Sequence, residues 1–224
     1  MLCRATQLRP CLESDLFSYP TIEHSSKALA IPGLKLAVSQ TCKKLPSTCS
    51  ISLTLDERRM DEPRRIFLKP DDWIPNNSRF PVLVYRNAVD HELADIAAAL
   101  EELFESNGWR CGARGNIHAE FHYHSGAHEV IGIAAGSAIL GIGGPRSMRV
   151  AVDASDVLLL PAGTGHCRLS DTAGFSVVTA SPPGQEPDFC RTPASTDIGR
   201  TIDAVPYPPK DPVLGNRSRP AFRP

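Results

Sequence analysis

No run of eighteen apolar residues occurs in the 224-residue sequence, so it contains no stretch that reads as a bilayer-spanning helix. Nor do any two of the seven cysteines form a Cys-x-x-Cys pair; Cys3, Cys11, Cys42 and Cys49 all fall in the least patterned part of the chain. An odd set with that spacing disfavours a zinc ribbon or a disulfide scaffold and favours a reducing, cytoplasmic setting. In that setting the sequons Asn76-Asn-Ser78 and Asn216-Arg-Ser218 carry no meaning. Excess positive charge is also missing. A formal net charge of -1 and a pI near 6.6 leave no electrostatic footprint for nucleic acid or an anionic membrane, and neither is expected as a partner. What is present is 42% apolar residues, enough to build a core, in a length that suits one medium domain with appendages.

Residues 1–62 show no sustained period and read as a disordered extension. The stretch Ala28 to Val38 is broken by Pro32, Gly33 and Lys35, which makes a poor signal-peptide core. Between His24 and Leu55 there is no acidic residue, a bias shared with organellar transit peptides, but Arg is absent there as well. Met60 is an alternative start, because Met60-Asp-Glu-Pro-Arg-Arg-Ile-Phe-Leu68 opens like a compact domain. The domain itself is expected over 63–212, with a loose tail over 213–224.

Within it, Ile66 to Tyr85 reads as edge strands broken at Pro75-Asn-Asn77. One helix is expected over 91–107. Asp90 can cap it, Leu93, Ile96, Ala97, Leu100 and Phe104 recur on one face, and Asn107-Gly108 stops it; such a stripe would pack across the outside of a sheet. Seven short β runs follow, at 117–124, 129–134, 137–142, 148–152, 157–160, 166–169 and 175–180. Their number and close spacing imply an all-β sandwich or barrel. On the second run Glu129, Ile131 and Ile133 face inward, and Val130, Gly132 and Ala134 face another layer or a partner subunit. After Pro182 the density of proline predicts an extended strap without helices.

Chemistry concentrates in His122-Tyr-His-Ser-Gly-Ala-His-Glu129. His122 and His124 fall on the same face of a strand, so both imidazoles can reach one point. Glu129 has the wrong parity to join them on a straight strand, which predicts a tight turn at Ser125-Gly-Ala127 with Glu129 opening the returning strand. His166, after Pro161-Ala-Gly-Thr-Gly165 on another hairpin, can complete a set of three His and one Glu. Such a mix of imidazole and carboxylate suits a divalent transition metal, with Fe, Mn, Ni, Co and Zn not distinguished. His128 has the opposite parity and should point away from the metal, either behind its ligands or at the surface. His118 and Glu120 share parity with His122 and either line a cavity mouth or lie in solvent. Cys167 should face away from His166 and serve packing, Tyr123 should pack outside the barrel, Cys190 in the strap is either buried or near the pocket mouth, and Gly143-Gly-Pro145 lacks the strand-to-helix context of a phosphate loop.

The spacings His122-x-His124, four residues, Glu129, six residues, Gly136, and Ser155, five residues, Pro161-x-Gly163, two residues, His166, three residues, Ser170 resemble the two motifs of the cupin superfamily. The second motif usually opens with Gly and closes with Asn, where this sequence has Ser155 and Ser170. The resemblance implies a double-stranded β-helix, a small jelly-roll barrel, with His122, His124, Glu129 and His166 as metal ligands. A closer likeness rests on Phe67-Leu68 with Asp71-Asp72 and Ile74-Pro-Asn-Asn77, Leu103-Phe104 with Asn107-Gly-Trp109, Pro182-Pro-Gly-Gln185 and Asp188-Phe-Cys190. Together with the two motifs these segments are similar to the YjlB-like cupins over about residues 64 to 215. For function this implies a metalloenzyme acting on a small organic molecule. Dioxygenase-like oxidation is the leading class, followed by metal-assisted isomerisation or hydrolysis. The alternative is a non-catalytic metal- or ligand-binding module, a sensor or storage-like cupin, although storage-type cupins generally have two barrels and eroded ligand sets. Pairing of barrels as a homodimer is also implied.

Overall fold

The computed structural model describes residues 62 to 216, apart from Ser147 and the side chain of Ala113. The expectations for the N-terminal extension, its cysteines, the transit-like bias and Met60 lie outside the described residues. The chain divides between Arg58 and Arg59, and everything below concerns the second unit.

Among the described residues nine strands and two helices build it. They are β1 Arg64–Ile66, β2 Val82–Tyr85, α1 Ile96–Ser106, β3 Arg110–Gly115, β4 Glu129–Ala135, β5 Ser137–Ile142, β6 Met148–Asp153, β7 Val157–Leu160, β8 His166–Asp171, β9 Ser176–Ser181 and α2 Thr196–Ala204. Every pairing is antiparallel. One sheet runs β1-β2-β7-β4-β9-β3 and the other β6-β5-β8, the two walls of a jelly-roll barrel.

Alternation sets what each wall buries. On β4, Ile131 and Ile133 point inward; on β7 Leu158 and Leu160, on β2 Val82 and Val84, and on β5 Leu140 and Ile142 do the same, filling the space between the sheets. The other faces of the large-sheet strands carry Val130, Val157, Leu159, Leu83, Tyr85 and Val178 into a second core with Leu100 and Phe104 of α1. The outward side of β4 is therefore covered by a helix of the same chain. Contact is close: a Cβ on Gly132 would sit 3.0 Å from Leu100 Cδ1 and from Phe104 Cζ. Leu100 and Phe104 are fully buried, each contributing about 1.5–3 kcal/mol of hydrophobic stabilisation.

Helix α1 begins five residues later than the apolar stripe implies. Asp90 makes a local turn, accepting from Glu92 N through Oδ1 at 3.1 Å, while Asp95 is the cap, accepting from Ala98 N at 2.9 Å. Leu93 consequently lies outside the helix and is exposed. The end is as the sequence implies, with Gly108 at φ +80 in the left-handed region.

Three further expectations are corrected. Residues 117–124 form no strand. Only His122 and Tyr123 pair there, in isolated bridges to His166 and Cys190, and the strand is β3, just before. The proline-rich strap holds a second helix, α2, in the proline-free window between Pro193 and Pro206, capped by Ser195 Oγ accepting from Ile198 N. Its Ile202 packs with Val205, Tyr123 and Ala162 in a third cluster. Finally, the chain does not loosen at residue 213: Val213 is buried in the helix-side core, Asp211 pairs with Gly215, and Tyr85 Oη donates to Asp211 Oδ2 at 2.6 Å.

Candidate metal centre

Both motifs are corners where the chain leaves one sheet for the other. His122 pairs with His166 at the start of β8, in the small sheet; after the bend at Ser125-Gly126, Glu129 opens β4 in the large one. The bend and the position of Glu129 are thus as the parity argument requires, but 122–124 and β4 are not the two arms of one hairpin. Likewise β7 and β8 flank Pro161–Gly165 and belong to different sheets. Backbone ties hold the corners together: Gly163 N donates to His124 O at 2.7 Å and His166 N to His122 O at 2.9 Å. Asn76 and Asn77 add more. Asn76 Oδ1 accepts from Gly165 N at 3.1 Å, its Nδ2 donates to Gly143 O at 2.6 Å, and Asn77 Nδ2 donates to Ala162 O at 2.9 Å. Asn76 takes φ +50, a conformation Asn tolerates better than most residues.

These corners bring His122, His124, Glu129 and His166 together at a cavity of about 260 Å³. One ligand atom from each histidine lies within 4.8 Å of those of the other two. Glu129 Oε2 is 3.3 Å from His124 Nε2 and 3.3 Å from His166 Nε2. Each ring turns its other nitrogen to a backbone carbonyl: His122 Nδ1 to Glu120 O at 3.1 Å, His166 Nδ1 to Thr164 O at 3.1 Å, and His124 Nδ1 to Asp188 O. A carbonyl only accepts, so each Nδ1 carries the proton and, in the neutral ring, Nε2 carries the lone pair.

Charge regulation follows from this crowding. Burial and then the neighbouring His166 push His122 down to about 3. For His124 burial also disfavours the charge, but the Glu129 carboxylate outweighs it and holds the ring above its ordinary value. Burial opposes the charge on Glu129 too, yet His124 and His166 hold its carboxyl well below the usual carboxylate range. Its Oε2 is buried, within ion-pair reach of both rings and without a hydrogen-bond partner. Lone pairs on imidazole nitrogens facing an orphaned carboxylate oxygen fit a cation between them. The N₃O donor set suits a divalent transition metal, and the carbonyls behind the rings fix the ligating tautomer.

His128 is the contrasting case. It is fully buried and points away from the quartet, which excludes the surface position. Its Nδ1 accepts from Ala162 N at 3.0 Å, its Nε2 faces the Pro206 carbonyl, and burial pushes it down to about 4. Gln185 joins the same tie, accepting from His128 N at 2.9 Å and donating to Pro206 O at 2.8 Å. His118 is exposed and lines the cavity, its ring 5.2 Å from that of His122, whereas Glu120 is drawn off to Arg191 at 3.2 Å. Tyr123 and Cys167 are buried, and neither lines the cavity. Ser155 occupies the motif's usual Gly position at φ +75, fully buried, and Ser170 is exposed and does not line the cavity.

Residue types and spacing gave no role to Asp188 and Phe189, although the family likeness runs through them. Asp188 accepts from Ser125 N and Ser125 Oγ, each at 2.5 Å, and lends its carbonyl to His124. Phe189 lies flat against His122, ring centroids 4.6 Å apart at 28°. Cys190 Sγ is 3.1 Å from Asp188 Oδ2; burial and then that carboxylate push the thiol up, so it stays protonated.

No family model matches the chain. A solved structure of RmlC from Streptococcus suis in complex with dTDP-D-xylose aligns at 15% identity, covering 54% of this chain and 74% of that one with a TM-score of 0.27, too low to support an argument. Uncharacterized protein YjlB of Bacillus subtilis strain 168 is 31% identical over 161 residues, covering 70% of this chain and 94% of YjlB. With that identity across nearly the whole relative, and both motifs at the corners of an antiparallel two-sheet barrel, the chain belongs to the YjlB-like cupin family.

Proposed function

We propose that the chain is a metalloenzyme in which His122, His124, Glu129 and His166 hold one divalent transition metal and a small organic molecule binds beside it. The observation that carries this reading is the common tautomer: three rings with Nδ1 spent on carbonyls, and an orphaned Glu129 Oε2 among them. A metal bound there would polarise an oxygen donor of the substrate or support its oxidation by dioxygen, the leading reaction class. The protein's own part is positional. Carbonyls of Glu120, Thr164 and Asp188 orient the rings, Ile131 and Val177 keep the cavity floor apolar, and the Thr179 hydroxyl on its wall offers a polar contact. Four protein donors leave coordination room for substrate.

Purified protein loaded in turn with Fe(II), Mn(II), Ni(II), Co(II) or Zn(II) should be screened for consumption of small acids and phenols with oxygen uptake recorded, using His124→Ala as control. The reading expects uptake or turnover in the loaded wild type and none in the variant. Metal held without any turnover would favour the non-catalytic binding module instead. By family likeness we also propose homodimer formation, with Ile139 and Leu169, exposed on the three-stranded sheet, as apolar contacts; light scattering of a clean monomer would contradict it. Among the described residues no helix is long and apolar enough to cross a membrane.

A further inference from the structure

Phe189 is an anomaly of burial. A phenyl ring normally goes to the core, yet this one is 47% exposed and lines the mouth of the cavity. It is not needed to fasten the strap, because the strap is tied on both sides of it. Before it, the Asp188 carboxylate takes two hydrogen bonds from Ser125. After it, Cys190 and Tyr123 exchange backbone hydrogen bonds at 3.0 Å in each direction, and Tyr123 Oη donates to Thr192 O at 2.9 Å. These ties fix the ring's place: flat on His122 and tilted at 57° to His118, centroids 4.7 Å apart. The mouth is thus walled by aromatic faces next to the quartet.

Charge recognition has no comparable equipment. Arg114 lies beside the cavity, but its Nε and Nη2 both go to Glu101 at 2.7 Å, and Arg168 is taken by Asp171. Apart from the quartet, His118 is the one remaining titratable lining side chain not held in an ion pair.

Resting on the metal reading above, we infer that Phe189 is the specificity-determining residue of the site. It selects small molecules that place a flat, unsaturated or aromatic body against its ring while an oxygen donor reaches the metal. Stacking of this kind is worth a few-fold in affinity beyond apolar area alone.

The test uses the full chain loaded with Co(II), titrated by its visible spectrum with benzoate and with cyclohexanecarboxylate, two monocarboxylates of similar bulk that differ in flatness. Wild type should bind benzoate about 2- to 10-fold tighter than the saturated acid. Phe189→Leu, which keeps apolar bulk, and Phe189→Ala should both bring the ratio to near one with cobalt content unchanged. Equal affinity for the two acids in cobalt-loaded wild type, or a preference that survives in Phe189→Leu, would overturn the inference while leaving the metal reading intact. Wild type that holds no cobalt in the same samples would overturn both.

Discussion

The two sides of the corner at residues 122–129 use histidine in opposite ways. On the cavity side, His122, His124 and His166 each spend Nδ1 on a carbonyl and turn Nε2 toward Glu129. On the outer side, His128 is more deeply buried, but its Nδ1 accepts from Ala162 N and its Nε2 meets the Pro206 carbonyl. The outer ring spends Nδ1 on a backbone N–H and turns Nε2 toward a backbone carbonyl, while the inner rings turn Nε2 toward a carboxylate and toward one another. Burial and residue type do not separate a ligand from a structural pin; the partner of the second nitrogen does.

The widest gap between the two sides should appear on removing one ring from each. His166→Ala takes away a ligand and should weaken metal binding by more than about 100-fold, beyond the range seen for outer-shell partners, as read by equilibrium dialysis. His128→Ala should leave metal affinity within about two-fold. It orphans the buried Ala162 N–H and leaves a cavity behind the corner, so chemical denaturation should register a loss of about 2–4 kcal/mol. Dependence of metal binding on His128 at the level of His166 would erase the distinction.

The outer side can also be probed without touching any histidine. Gly132→Ala places a methyl 3.0 Å from Leu100 and Phe104, and should cost about 1–3 kcal/mol by overpacking with metal content per folded chain preserved. A smaller effect of the opposite sign is expected at Ser155→Gly. Relief of the left-handed backbone at φ +75 should exceed the extra entropy of the unfolded chain, for a gain of about 0.5–1 kcal/mol in thermal or chemical unfolding.

How much was legible in advance depended on whether the information was local. Period two over Glu129 to Ile133 gave the inward and outward faces of β4 correctly, because one face meets the inner core and the other meets α1. The His-x-His parity also held, since His122 to His124 is extended backbone even without a strand. What failed was pairing. The sequence cannot say that His122 partners His166 rather than the strand after the bend, because that choice is made by closure of the two sheets. The start of α1 was misplaced because Leu93 continues the apolar stripe while the hydrogen-bonding cap lies at Asp95. Helix α2 was hidden by its prolines, although none falls between Thr196 and Ala204. Asp188 and Phe189 were visible only as letters of a family likeness. Their contacts with Ser125 and His122 span more than sixty residues, and no local rule reaches that far.

The central claim is that the inner quartet, and not the outer histidine, holds a metal. Elemental analysis after gel filtration of the wild type, His166→Ala and His128→Ala tests it most directly. The account predicts close to one divalent transition metal per chain in the wild type and in His128→Ala, and almost none in His166→Ala. A wild type without metal after exposure to all five ions, or His166→Ala retaining as much as the wild type, would contradict it.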